Sequence, residues 1–199
     1  MGSRRLPGRT IGATLIGTAF VLVLVLHASM RAVNPVRDMI SDYARQPHGW
    51  LFGLAVLLVA TGSVLTLPWR RSARADVFFA GWCAGLVVLA VCRRDVPGGL
   101  PTVIGQIHLV AALVALISLP FGVLAAPRRH TLRFAAVACL VMLAPLFASF
   151  ILGPPLRDVL GLLERVLLVA ELAMVVASGS PRAARRDVAV TNPGLSRQS

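Results

Sequence analysis

Six apolar stretches, each near the roughly 20 residues that an α-helix needs to cross a bilayer, run through this chain between short clusters of arginine, proline and glycine. Inside the hydrocarbon core every backbone N–H and C=O must find its partner within the segment, which helices achieve and open strands do not. The spans read as Ile11–Met30, Gly49–Leu67, Val77–Cys92 (or from nearer Ala73), Val103–Ala125, Phe134–Leu152 and Leu156–Ala177. The expected fold is therefore all-α, a polytopic membrane protein built as a bundle of six transmembrane helices. Residues 1–10 are expected as a cytoplasmic basic tail, 11–177 as the transmembrane domain, and 178–199 as a disordered cytoplasmic tail.

Composition agrees with this reading. Of 199 residues, 57% are hydrophobic and 14% charged, where a soluble domain carries about a quarter charged residues to cover its wet surface. After six spans, the remainder suffices for short loops and two tails, so no separate soluble domain is expected. The net charge of +12 comes from arginine alone, since lysine is absent. Such an excess often marks a nucleic-acid face, but here the arginines alternate with apolar runs in the positive-inside manner, so nucleic acid is not an expected partner.

The arginine count also sets an orientation. Arg4, Arg5 and Arg9, Arg70, Arg71 and Arg74, Arg128, Arg129 and Arg133, and Arg182, Arg185, Arg186 and Arg197 make 13 on one side. The first, third and fifth loops hold six: Arg31, Arg37, Arg45, Arg93, Arg94 and Arg157. Both termini are accordingly expected in the cytoplasm, with the chain multi-pass in the plasma membrane. The first span has the basic flank of a signal peptide. Its apolar stretch is too long, however, and Ala28-Ser29-Met30 is a poor cleavage site, so an uncleaved helix is expected.

The unusual chemistry lies in the odd-numbered loops. The first contains Asn34-Pro35-Val36-Arg37-Asp38 and then Ser41-Asp42-Tyr43; the third contains Arg93-Arg94-Asp95 and a turn-rich Pro97-Gly98-Gly99. Together with Gly49-Trp50-Leu51-Phe52, Asp95, Ile107-His108 and Gly161-Leu162-Leu163-Glu164-Arg165, these segments resemble the signature of the bacterial and archaeal membrane family catalogued as domain of unknown function 998. The likeness runs from about Ile11 to Ala177 and implies a six-helix fold with an outward-facing polar cluster. It implies no activity. One departure is that Arg93-Arg94 stands where the family has a Phe-Pro pair before the loop aspartate.

The candidate catalytic residues are Ser41, Asp42, Asp95 and His108, which share one side of the membrane and include the residue types of a nucleophilic triad. Each has a structural reading beside the chemical one. His108 lies on the ridge Gly105, His108, Ala111, Ala112, Ala115, whose small residues favour close helix packing, and it serves either as a general base or as an interhelical hydrogen bond. Ser41-Asp42 also suits a turn or cap before the second helix, and Asp95 suits a loop ion pair with Arg93 or Arg94. Cys83, Cys92 and Cys139 show no paired spacing, and no local pattern joins the histidines, so neither metal nor cofactor is expected.

Glu164 and Arg165 are the candidate ligand-binding residues, near mid-membrane in the last span. Gly161, Glu164, Leu168, Glu171 and Val175 share one seam there. Charges at such depth must face protein, water or a polar ligand. Arg165 is expected to meet a carboxylate or a lipid phosphate, and Glu164 to hydrogen-bond another helix. The function expected is binding, or modification, of a lipid or small amphiphile at an outward-facing polar site, with membrane lipids as partners. A proton-coupled or small-solute transporter and a non-catalytic accessory protein are the alternatives.

Overall fold

A computed structural model describes residues 6–70, 72–96, 98–127, 130–152 and 156–179. The described residues form six long helices and no strand: α1 (Leu6–Ser29), α2 (Trp50–Thr66), α3 (Ala73–Val91), α4 (Val103–Ala125), α5 (His130–Leu152) and α6 (Leu160–Gly179). Two 3-10 segments, Ile40–Arg45 and Leu156–Val159, precede α2 and α6. The chain is a polytopic α-helical membrane protein. Helices α1, α3 and α4 are each long and apolar enough to cross a bilayer unaided, while Trp50–Thr66 in α2 and Leu132–Ala148 in α5 are shorter apolar runs.

Local chemistry sets the helix starts. Ser72 Oγ accepts from Ala75 N at 3.5 Å, which begins α3 at Ala73, the earlier of the two expected starts. Thr102 Oγ1 likewise accepts from Gly105 N at 3.0 Å and begins α4. The last helix differs from expectation. Leu156–Val159 forms a tight 3-10 turn and α6 starts only at Leu160. Glu164 is therefore one turn from the start of its helix, about 6 Å at about 1.5 Å per residue, closer than a helix beginning at Leu156 would put it.

Packing follows residue size. α1 lies against α2, α2 against α3, α3 most extensively against α4, and α5 against both α4 and α6. The α3–α4 contact is close because Gly85 leaves room for the Ala111 carbonyl and Ala115, where a Cβ would come within 3.0 Å of both. Without a hydrophobic drive between helices in lipid, such close approach supplies the association. Trp82 Nε1 donates to Ser63 Oγ at 3.0 Å, a buried hydrogen bond that ties α3 to α2. Phe79, Trp82, Leu119, Val123, Leu167 and Met174 fill the core.

The 30–49 connection folds over one end of the bundle, hereafter the capped end. Leu162 N donates to the Val36 carbonyl at 3.0 Å, which docks this connection onto the first turn of α6. Tyr43, with no exposed surface, packs beneath it with Leu26, Val33 and Phe52.

Candidate functional site

The polar residues of the capped end form interlocking hydrogen bonds around Asp42. Asp42 is 5% exposed. Its Oδ2 accepts from Met39 N at 3.2 Å, capping the 3-10 segment, and its Oδ1 takes Arg45 Nη2 at 2.8 Å and Arg94 Nη1 at 3.2 Å. Arg45 Nη1 in turn donates to the Asp95 carbonyl at 3.0 Å, so one carboxylate and two guanidinium groups join the first connection to the third. The structural reading of Asp95 pairs it with Arg93 or Arg94, and Arg94 does not take that place. It meets Asp42 instead, because the Asp95 carboxylate turns to the start of α4.

Asp95 Oδ1 accepts from Thr102 Oγ1 at 2.6 Å and Oδ2 from Thr102 N at 3.0 Å. These bonds from Thr102 hold its carboxyl below the usual carboxylate range. A depressed folded-state value adds stability above the unfolded value of about 3.9, and that stability is lost as pH falls through the folded value. Acidification from neutral pH should therefore lower the melting temperature of the native protein more than that of Asp95→Asn. Parallel loss in both proteins would show that the Thr102 bonds contribute nothing.

His108 is 5% exposed, one and a half turns into α4. Its Nδ1 lies 2.8 Å from the Cys92 carbonyl. A carbonyl only accepts, so Nδ1 carries the proton, and His108 lines the cavity described below. Ser41 is buried and also faces that cavity. Among the described residues no hydrogen bond joins Ser41 to His108 or His108 to a carboxylate; Asp42 and Asp95 hold the partners given above.

Glu164 and Arg165 sit at the same level as this network. Glu164 Oε2 accepts from Ile40 N at 2.6 Å, so its partner is the first residue of the 3-10 segment rather than a transmembrane helix. Arg165 Nη1 donates to the Asp38 carbonyl at 2.7 Å and to the Gly161 carbonyl at 2.9 Å, with its guanidinium carbon 5.9 Å from the centre of the Tyr43 ring. Of the two partners expected for Arg165, a carboxylate or a lipid phosphate, no carboxylate meets it among the described residues. Gly161 makes this arrangement possible, since a Cβ at that position would collide with the Asp38 carbonyl. Tyr43 Oη shares a 2.7 Å hydrogen bond with His27 Nδ1, extending the network to α1. Tyr43 is absent from the candidates above, although it stands in the Ser41-Asp42-Tyr43 segment of the family resemblance and is the sole tyrosine in the chain.

Below the network lies a cavity of about 460 Å³ bounded by α1, α2, α3, α4 and α6. Ser41, Arg94, Asp95, His108, Glu164 and Arg165 line its polar end, with His27 and Gln106 beside them. The rest of the wall is apolar, including Phe20 and Leu24, Val56 and Val59, Trp82 and Leu86, Ala112 and Leu116, and Leu168 and Leu172. Of the expected site residues, only Asp42 is not part of the lining, and it holds Arg94, which is. Glu171 is fully buried on α6 outside the lining, and both its oxygens lack a hydrogen-bond partner among the described residues. No three His, Cys, Asp or Glu side chains among the described residues come together as a metal group.

These features define a small helical membrane protein with a largely apolar cavity whose polar end is lined by residues of an ionic network. The chain belongs to the family described as protein of unknown function DUF998, whose model matches residues 13–180. No curated protein and no solved structure matches it.

Proposed function

We propose that the chain binds one molecule of a lipid or other amphiphile from the outer leaflet of the plasma membrane. The tail occupies the cavity and the polar end meets the residues at its mouth. One observation carries this reading: the shape of the cavity. From His108 to Leu116, from Glu164 to Leu172 and from His27 to Ala19 the lining descends eight residues, about 12 Å at about 1.5 Å per residue. One leaflet is half of a roughly 30 Å core, about 15 Å, so the apolar depth suits a tail lying within a single leaflet. The volume lies within the range of small-molecule sites, and a polar rim over an apolar body matches the two ends of an amphiphile.

The same geometry favours binding over modification, since Ser41, His108 and a carboxylate are not hydrogen-bonded in series. The test is native mass spectrometry of the protein purified in mild detergent. One retained amphiphile per chain is expected, and chains that carry none under conditions that keep detergent-solubilised proteins folded would overturn the reading.

The arginine bias supports placing the capped end outside the cytoplasm. A reporter fused after Ser199 should then be active only if it works in the cytoplasm, and one inserted at Gly98 only if it works outside. The reverse pattern would turn the cavity toward the inner leaflet.

A further inference from the structure

Resting on the proposal of an amphiphile in the cavity, we infer that its head is an oxyanion, a phosphate or carboxylate, held by Arg165. The carboxylates of the polar end already have donors of their own. Asp42 takes Met39 N, Arg45 and Arg94; Asp95 takes Thr102; Glu164, the sequence neighbour of Arg165, takes Ile40 N. Arg165 stands apart as a cation at the cavity wall whose hydrogen bonds go to two backbone carbonyls and to no carboxylate. Its Nη2 is buried and lacks an acceptor among the described residues.

A guanidinium cannot shed its charge, so in a low-dielectric wall it calls for an anion. Nη1 is spent on the two carbonyls, which with the Tyr43 ring hold the guanidinium in place, so two oxygens of one group would meet its other edge, Nη2 and Nε. Arg94, fixed by Asp42, brings a second positive charge to the same mouth. A neutral head, such as that of a monoacylglycerol, brings no charge to meet Arg165 Nη2. A phosphate supplies one.

The test compares three probes on the detergent-purified protein: lysophosphatidic acid, monoacylglycerol with the same chain, and inorganic phosphate. Binding is read by native mass spectrometry and by thermal shift. Lysophosphatidic acid is expected to bind at least about tenfold more tightly than monoacylglycerol, and Arg165→Gln should abolish that preference while retaining monoacylglycerol binding. Inorganic phosphate alone should give no shift; a saturable shift that Arg165→Gln removes would assign the anion to a free phosphate instead of a lipid head. Equal affinity for the two amphiphiles, or a preference unchanged in Arg165→Gln, would overturn the inference and leave the proposed cavity function standing. Failure of both amphiphiles to bind would remove the cavity reading itself. Because the wild-type comparison alone separates these outcomes, the inference stays open to refutation even if Arg165→Gln does not fold.

Discussion

Ala112→Trp is expected to abolish retention of an amphiphile while leaving the bundle folded. Ala112 is half-buried on α4 and faces the cavity at about the middle of its depth. An indole there enters a void of about 460 Å³ rather than a packed core, so the strain that usually follows small-to-large substitution is avoided. Native mass spectra should show the protein bare, with a melting temperature equal to or above that of the emptied wild type. Retention of the same mass by Ala112→Trp would mean that the amphiphile rides on the outer surface of the helices.

The second large effect is on stability. Asp42→Ala removes the one carboxylate that holds both Arg45 and Arg94, and the Asp42 side chain is 7% exposed. Breaking such a pair from one side leaves cations without their anion, and a loss of about 3 kcal/mol is expected. Arg37→Ala is the internal control, because Arg37 and Asp158 are 65% and 64% exposed at a separation of 3.5 Å. An exposed pair contributes about 0–1 kcal/mol. Equal loss in the two variants would show that Arg45 and Arg94 reach water in the native protein.

Much of the architecture is legible in the chain, for definite reasons. The span expected as Val103–Ala125 coincides with α4, since Thr102 supplies the cap and the apolar run is unbroken. Of the ridge Gly105, His108, Ala111, Ala112 and Ala115, all but the half-buried Ala112 turn inward, as small residues imply. Glu164 is harder to place, because apolar periodicity does not distinguish a 3-10 turn at Leu156–Val159 from the first turn of a helix. Partner choice is less legible still. Asp95 and Arg94 are adjacent in sequence, yet one turns to Thr102 and the other to Asp42, fifty-two residues away. Arg165 finds the Asp38 carbonyl through the fold of the first connection, and no spacing in the sequence announces a backbone partner. The cavity is a property of how five helices pack around it, and its depth is not written in the order of the chain.

In the proposed complex an acyl tail lies inside the bundle with its end toward Trp82. Trp82 lines the cavity on α3, nine residues from the capped end of that helix, or about 13 Å along its axis at about 1.5 Å per residue. With Trp50 and Trp69 replaced by phenylalanine, Trp82 is the sole indole, and its fluorescence can be followed as brominated single-chain amphiphiles are added to the detergent-purified protein. Quenching should saturate at one molecule per chain and should be stronger when bromine is near the terminal methyl than near the head. Quenching that rises without saturation, or is stronger for bromine near the head, would contradict the account.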